Sequence, residues 1–190
     1  MTDYTDLTGT WKLDPAHTTI GFSARHAMVA KVRGRFTEFE GEFTLDGKSP
    51  ENSTASVVIK AASIDTRNLQ RDEHLKSADF LDVEKFPELR FAATTIKHVR
   101  DEEFVLGGDL TVRGVSRPIE LELELVGTST DPWGGARIGF EGKTEISRKD
   151  FGVTWNVALE TGGVLVSDKV TINIDVSAVK QDVSGVKQAA

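Results

Sequence analysis

The chain predicts an all-β domain: an extended antiparallel β-barrel of about eight strands, with a short helical insertion near residues 66–85. Three observations carry this. Apolar and polar residues alternate with a period of two through most of the 190 residues, the pattern of strands with one wet and one buried face. Turn signals punctuate the alternation at Asp46-Gly47, Gly107-Gly108, Arg113-Gly114, Asp131-Pro132 with Gly134-Gly135, and Gly162-Gly163. Residues 66–85 form a polar, helix-like stretch far longer than the short turns that usually join neighbouring strands.

Taken in order, the first strand pattern sets Ile20, Phe22 and Ala24 against Thr19, Gly21 and Ser23. Residues 32–45 are extended but change phase: Phe36 follows one alternation, and Phe39, Phe43 and Leu45 the other. A bulge or bend is therefore expected near Thr37-Glu38. Further strands are expected at 53–60, 88–96, 103–112 and 136–146. The cleanest runs over 117–125, where Ile119, Leu121, Leu123 and Leu125 oppose Glu120, Glu122 and Glu124. A last one sets Val170, Ile172, Ile174 and Val176 against Thr171, Asn173 and Asp175. A short helical piece is expected at 147–151, and 181–190 lacks pattern and reads as a frayed, disordered tail to a single domain over 1–180. Eight strands is the number at which a barrel holds one small ligand. An open sandwich accounts for the alternation too; the long strands, the bend and the covering insertion favour the barrel.

Within the insertion, a helix would set Arg71, His74, Leu75 and Ala78 on one face, a cation and an imidazole beside an apolar patch. Asp72 and Lys76 would pair at i,i+4 outside that face. Asp79 would cap a further turn carrying Phe80 and Leu81, and Pro87 returns the chain to extended conformation. The segment is expected to cover one end of the barrel.

Composition narrows the function. Ten Phe and three Trp support a substantial core, but no apolar run approaches a membrane span. A formal charge of −7 opposes non-specific attachment to nucleic acid or anionic lipid. Arg25, Lys31, Arg33 and Arg35 bunch locally and form either a basic pocket or, the plainer reading, a solvated strand surface. The acidic, polar N-terminus has no secretory pattern, so the cytoplasm is the expected location. With no Cys and no compact spacing among His17, His26, His74 and His98, neither a metal nor another cofactor is expected.

No nucleophile elbow, zinc-protease or dinucleotide motif occurs, so no catalytic residues are assigned. His26 continues the parity of Ile20, Phe22 and Ala24; it is either a hydrogen-bonded core histidine or a polar group at a cavity mouth. Arg71 with His74, and Arg148 with Asp150, either form ordinary ion pairs or cap a loop, or else recognise a polar or anionic head group. An enzyme acting on a lipid or small hydrophobic substrate in the same pocket is the alternative to a pure binder.

The residues that line up with a known family are Thr10–Thr18 followed by Ile20-Gly21-Phe22, then Arg25-His26 and Val32-Arg33-Gly34-Arg35-Phe36. The most specific portion is Arg71-Asp72-x-His74-Leu75-x-Ser77-x-Asp79-Phe80, with Phe86-Pro87 and Phe91. Gly108–Val115 and Arg148-x-Asp150-Phe151-Gly152 complete it. In this the chain resembles, over residues 10–179, the YceI-like family of bacterial polyisoprenoid-binding proteins. The resemblance implies a lipocalin-like barrel enclosing a long apolar pocket, a long-chain amphiphilic ligand such as a polyisoprenoid or isoprenoid quinone, and a homodimer. Phe22, Phe36, Phe39, Phe43, Phe91, Leu121, Phe140 and Trp155 are the expected wall. Arg71, His74, Arg148 and His26 are expected at the head-group end, with Leu75 beside them.

Overall fold

The computed structural model describes residues 4–181; apart from Gln181, the expected tail lies outside them. Eleven strands and one α-helix follow in the order β1 (Gly9–Leu13), β2 (Thr19–His26), β3 (Ala30–Phe36), β4 (Phe39–Leu45), β5 (Thr54–Lys60), β6 (Ile64–Asp65), α1 (Leu69–Lys76), β7 (Glu88–Arg100), β8 (Glu103–Val112), β9 (Val115–Thr130), β10 (Ala136–Ser147) and β11 (Val166–Lys180). A 3₁₀ turn at Arg148–Phe151 occupies the second expected helical position.

These strands form a closed antiparallel barrel of eight positions. β11 pairs along one edge with both β2 (Ile174 opposite Ile20) and β1 (Leu13 opposite Ala178). β1 and β2 are thus two halves of one interrupted strand. β3 and β4 are likewise halves of the next, pairing with β2 and β1 respectively, and β6 and β5 repeat the arrangement against them. The expected bend falls at Thr37-Glu38, between β3 and β4. β7 to β11 run unbroken, each paired with the next. Fifteen residues in β11 at about 3.3 Å each, tilted by about 40°, give an axial length of roughly 35–40 Å.

Local chemistry fixes the connections. β8 and β9 are joined by Arg113-Gly114, with φ of 50° and 72°, the left-handed pair that matches strand twist in a two-residue hairpin. The Arg113 guanidinium donates to Gly152 O (2.8 Å) and Ala78 O (2.9 Å), tying this hairpin to the 3₁₀ turn and the insertion. Asn68 caps α1, its side chain accepting from Arg71 N at 2.9 Å. Asp72 does not pair with Lys76: it is buried, and its Oδ1 accepts from Thr66 N (2.9 Å) and Thr66 Oγ1 (2.5 Å). Lys76 pairs with Glu73 instead, at 2.9 Å. A buried carboxylate bonded to backbone outranks an exposed helical pair worth a few tenths of a kcal/mol. The helix ends at Lys76; Phe80 and Leu81 lie in a further turn as expected, but the Asp79 carboxylate lies against His74 Nε2, at 2.9 Å, instead of capping it.

Buried apolar residues gather in two clusters, one toward each end. Trp11, Leu13, Ile138 and Ala178 form the first, and Ile59, Ala61, Leu89, Leu110, Val112 and Phe151 the second. Trp11 is 1% exposed, stacks on Phe43 and donates from Nε1 to Leu7 O at 2.9 Å. That bond holds the 3₁₀ turn Thr5–Leu7 against the barrel end opposite α1. There Tyr4 packs against His98 and Phe104. His98, near the end of β7, is exposed and also lies against both rings.

On the outer surface Asp14 accepts from Arg137 (2.7 Å) and lies 2.8 Å from His17. These two partners hold its carboxyl well down, at about 2. A carboxyl depressed by folding stabilises the folded state above its unfolded pKa, and that stabilisation is lost as pH falls through the folded value. Here the window runs from about pH 4 down to about pH 2. With solvent screening the term is about 1–2 kcal/mol. Urea unfolding across this window should show the parent losing that much more stability than Asp14→Asn.

Candidate functional site

The inward alternation of the strands makes a wall, and the wall encloses a cavity of about 360 Å³ along the barrel axis. Its lining is apolar almost throughout and reaches from Tyr4 and Leu7 at one end to Leu75, Phe80 and Val153 at the other. The face expected from 117–125 supplies Ile119, Leu121, Leu123 and Leu125, and the last strand supplies Val170, Ile172, Ile174 and Val176. β7 needs a bulge to contribute both Phe91 and Ile96, five residues apart, and its register against β8 shifts between Ala93 and Thr95.

Two inward glycines keep the axis open. A Cβ on Gly34 would lie 2.4 Å from Cζ of Phe22, its cross-strand partner, and one on Gly108 would lie 2.5 Å from Cζ of Phe91. Each glycine lets an aromatic ring lie back against the wall. A side chain at either position would push that ring inward.

A second space of about 480 Å³ adjoins the helix end of the first. Phe22, Ala24, Leu75, Phe80 and Val166 border both and form the neck between them. Arg25, His26, Thr66, Asn68, Gln70, Arg71 and His74 give this mouth its polar lining, and Trp155 and Leu165 add to its apolar part. α1 and the turns after it therefore cover one end of the barrel.

Of the expected wall residues, Phe22, Phe36, Phe43, Phe91, Leu121 and Phe140 line the long cavity, and so does Leu75. Trp155 stands at the mouth instead. Phe39 lies outside both spaces. At the β3–β4 bend its ring packs into both core clusters and fills the corner where the strand changes partners.

The polar candidates divide. Arg71 donates from Nε to Thr66 Oγ1 (2.7 Å) and from Nη2 to Thr66 O (2.8 Å), while Nη1 makes no hydrogen bond among the described residues. Thr66, with Arg71 and Asp72 on it, fixes both the helix and the guanidinium at the mouth. His74 lies edge-on to Phe80 (5.0 Å) and Trp155 (4.7 Å), and its Nε2 is 2.9 Å from Asp79 Oδ2. His26 is exposed at the rim, on the side of Phe22 and Ala24, with no side-chain hydrogen bond among the described residues.

Arg148 does something else. It is 6% exposed, and its guanidinium donates to four main-chain carbonyls: Ser167 (2.9 Å), Val153 (2.8 Å), Trp155 (2.9 Å) and Val166 (3.3 Å). It does not pair with Asp150. Burial pulls its pKa down and the Asp168 charge pushes back; an arginine stays protonated through such a shift. Its bonds tie Val153 and Trp155 to Val166 and Ser167 at the start of β11 and so cap the intervening loop, one of the readings its sequence allowed. Thr66, Asn68, Gln70 and Leu165 had no periodic signal to mark them.

A YceI-like domain model matches residues 11–178. Protein YceI of Salmonella newport is 39% identical over 165 residues, covering 87% of this chain and 83% of that one. The Campylobacter jejuni YCEI protein superposes with a TM-score of 0.71 at 32% identity, covering 96% of this chain and all of the other. A polyisoprenoid binding domain from Saccharophagus degradans shares the fold at 14% identity, with a TM-score of 0.68 over 90% of this chain and 98% of that domain. Sequence match, relative and shared barrel agree over nearly the whole described chain, which belongs to the YceI-like family.

Proposed function

We propose that this protein is a non-catalytic carrier for a long-chain amphiphilic lipid, a polyisoprenoid or isoprenoid quinone, with its tail along the barrel axis and its head at the α1 mouth. The observation that carries the reading is the shape and chemistry of the interior: an apolar passage along the axis, polar at the helix end. The Saccharophagus degradans domain that shares this fold is a polyisoprenoid binding domain, which supports the ligand class. Each methylene moved from water into such a passage contributes about 0.8 kcal/mol. Immobilising the tail opposes much of this, so passage length and mouth chemistry set selectivity. Arg71 Nη1, His26 and the Gln70 amide offer donors to an oxygen-rich head.

The alternative enzyme finds less support. His74 and Asp79 make a histidine–carboxylate pair, but among the described residues no hydroxyl hydrogen-bonds to either side chain: the nearby Ser77 hydroxyl is engaged with His74 O and Asp79 N, and Arg148 is committed to carbonyls. Homodimerisation and a cytoplasmic location, both expectations above, are read by light scattering and by fractionation. Native mass spectrometry of the purified protein, followed by organic extraction, is expected to release a long-chain lipid. A chain that stays empty when offered prenyl lipids would sink the reading.

A further inference from the structure

Although the chain carries −7 overall, residues 19–36 hold four cations, Arg25, Lys31, Arg33 and Arg35, and no carboxylate. Arg35 has a counter-ion, Asp65 at 3.5 Å. Among the described residues Arg25, Lys31 and Arg33 have none. Arg25 and Lys31 stand directly opposite each other in the β2–β3 pairing, and Arg33 follows on the same face; like charges in that position repel. The tip of this hairpin is apolar and bare: Met28 is 59% exposed and Val29 80%. Ala27 and Met28 hold it in the left-handed region, with φ of 49° and 64°, where glycine would be expected. The tip adjoins Gly163, in a loop whose Val157 and Val164 are also exposed. Across the mouth, α1 opens on Leu69, 78% exposed, between Asn68 and Gln70 of the lining.

We infer that this rim docks on an anionic bilayer surface, Met28 and Val29 entering the interface and Arg25, Lys31 and Arg33 meeting lipid phosphates. Single exposed apolar residues are ordinary; a cluster flanked by uncompensated cations is the amphipathic arrangement that binds such surfaces. Charges beyond about 8–10 Å are screened at physiological salt, so the local patch decides, not the −7 of the whole chain. A second copy is disfavoured as occupant: a two-fold contact brings a patch onto itself and would set these cations against each other. The opposite end also exposes an apolar residue, Trp133 at 88%, but there Arg137 is paired with Asp14 and Asp131. Docking stands whether or not cargo is present. Its consequence, a tail that passes between bilayer and barrel without crossing water, rests on the carrier reading.

Sedimentation with vesicles tests it. The full chain is expected to pellet with an equal mixture of phosphatidylglycerol and phosphatidylcholine, to stay in solution with phosphatidylcholine alone, and to be released by salt. Lys31→Gln with Arg33→Gln should weaken partitioning roughly thirtyfold. Met28→Asp with Val29→Asp should abolish it, and Trp133→Ser should leave it unchanged, all with parental melting curves. Equal pelleting with both vesicle types, or variants that pellet like the parent, would overturn the proposal. So would a change from dimer to monomer in the Met28/Val29 variant, which would make the rim a contact between copies. Docking retained with no lipid extracted would reject the carrier reading alone.

Discussion

Replacing Arg148 with alanine is expected to lower the unfolding free energy by about 3–5 kcal/mol, because four main-chain carbonyls lose a buried charged donor. The guanidinium bonds carbonyls on two separate stretches, Val153 and Trp155 on one and Val166 and Ser167 on the other. Without it, buried carbonyls on both lose their donors at about 1–3 kcal/mol each, relieved in part by water. Asp168 keeps its own partners, the Ser147 hydroxyl and the Lys149 amide, so its charge is not stranded. Arg148→Lys should recover less than half: an ammonium is a single point and cannot span four acceptors in two directions. At about 2–4 °C per kcal/mol for a domain of this size, the alanine variant should melt roughly 6–20 °C lower. Urea unfolding with an unchanged m-value checks it. A loss below about 1 kcal/mol, accompanied by weakened lipid binding, would return Arg148 to the head-group role that its sequence suggested.

That suggestion shows what a sequence of this kind conceals. The wall was legible because a barrel imposes a period of two on every strand, and Leu121, Phe140 and Phe91 fall on the lining for that reason. The bend at Thr37-Glu38 was legible as a phase change, but not that the halves on either side pair with different strands, since register leaves no mark in a single chain. β6, two residues long, is too short to carry a period. Within Ser-Arg-Lys-Asp, Arg148 could form an ion pair, cap a loop or meet a head group, and nothing chose the loop because its partners are carbonyls, which every residue possesses and no sequence distinguishes. Asp72 shows the same limit: Thr66, its partner, lies six residues back in a turn, where helical spacing rules do not reach. Phe39 keeps the parity of Phe43 yet lies off the lumen, because parity gives the face of a strand and not what stands between that face and the axis.

The neck between mouth and passage makes the sharpest test of how the interior is used. Ala24 borders both spaces on β2, opposite Val32 of β3 and Val170 of β11, with Phe22 two residues away on the same face. Ala24→Trp would place an indole where the tail must pass. Barring as few as four methylenes from the passage removes about 3 kcal/mol of burial, so bound lipid should fall by roughly a hundredfold or more. The fold should survive, because the new ring enters existing space; overpacking of this kind typically costs about 1–3 kcal/mol. Phe80→Ala acts at the same neck in the opposite sense, widening it, and should keep lipid capture while speeding exchange. The two variants separate a blocked passage from a damaged barrel: damage would impair both, whereas a block impairs only the first. If Ala24→Trp extracts with as much long-chain lipid as the parent, the tail does not lie along the axis, and the carrier function would have to be rebuilt on the mouth alone.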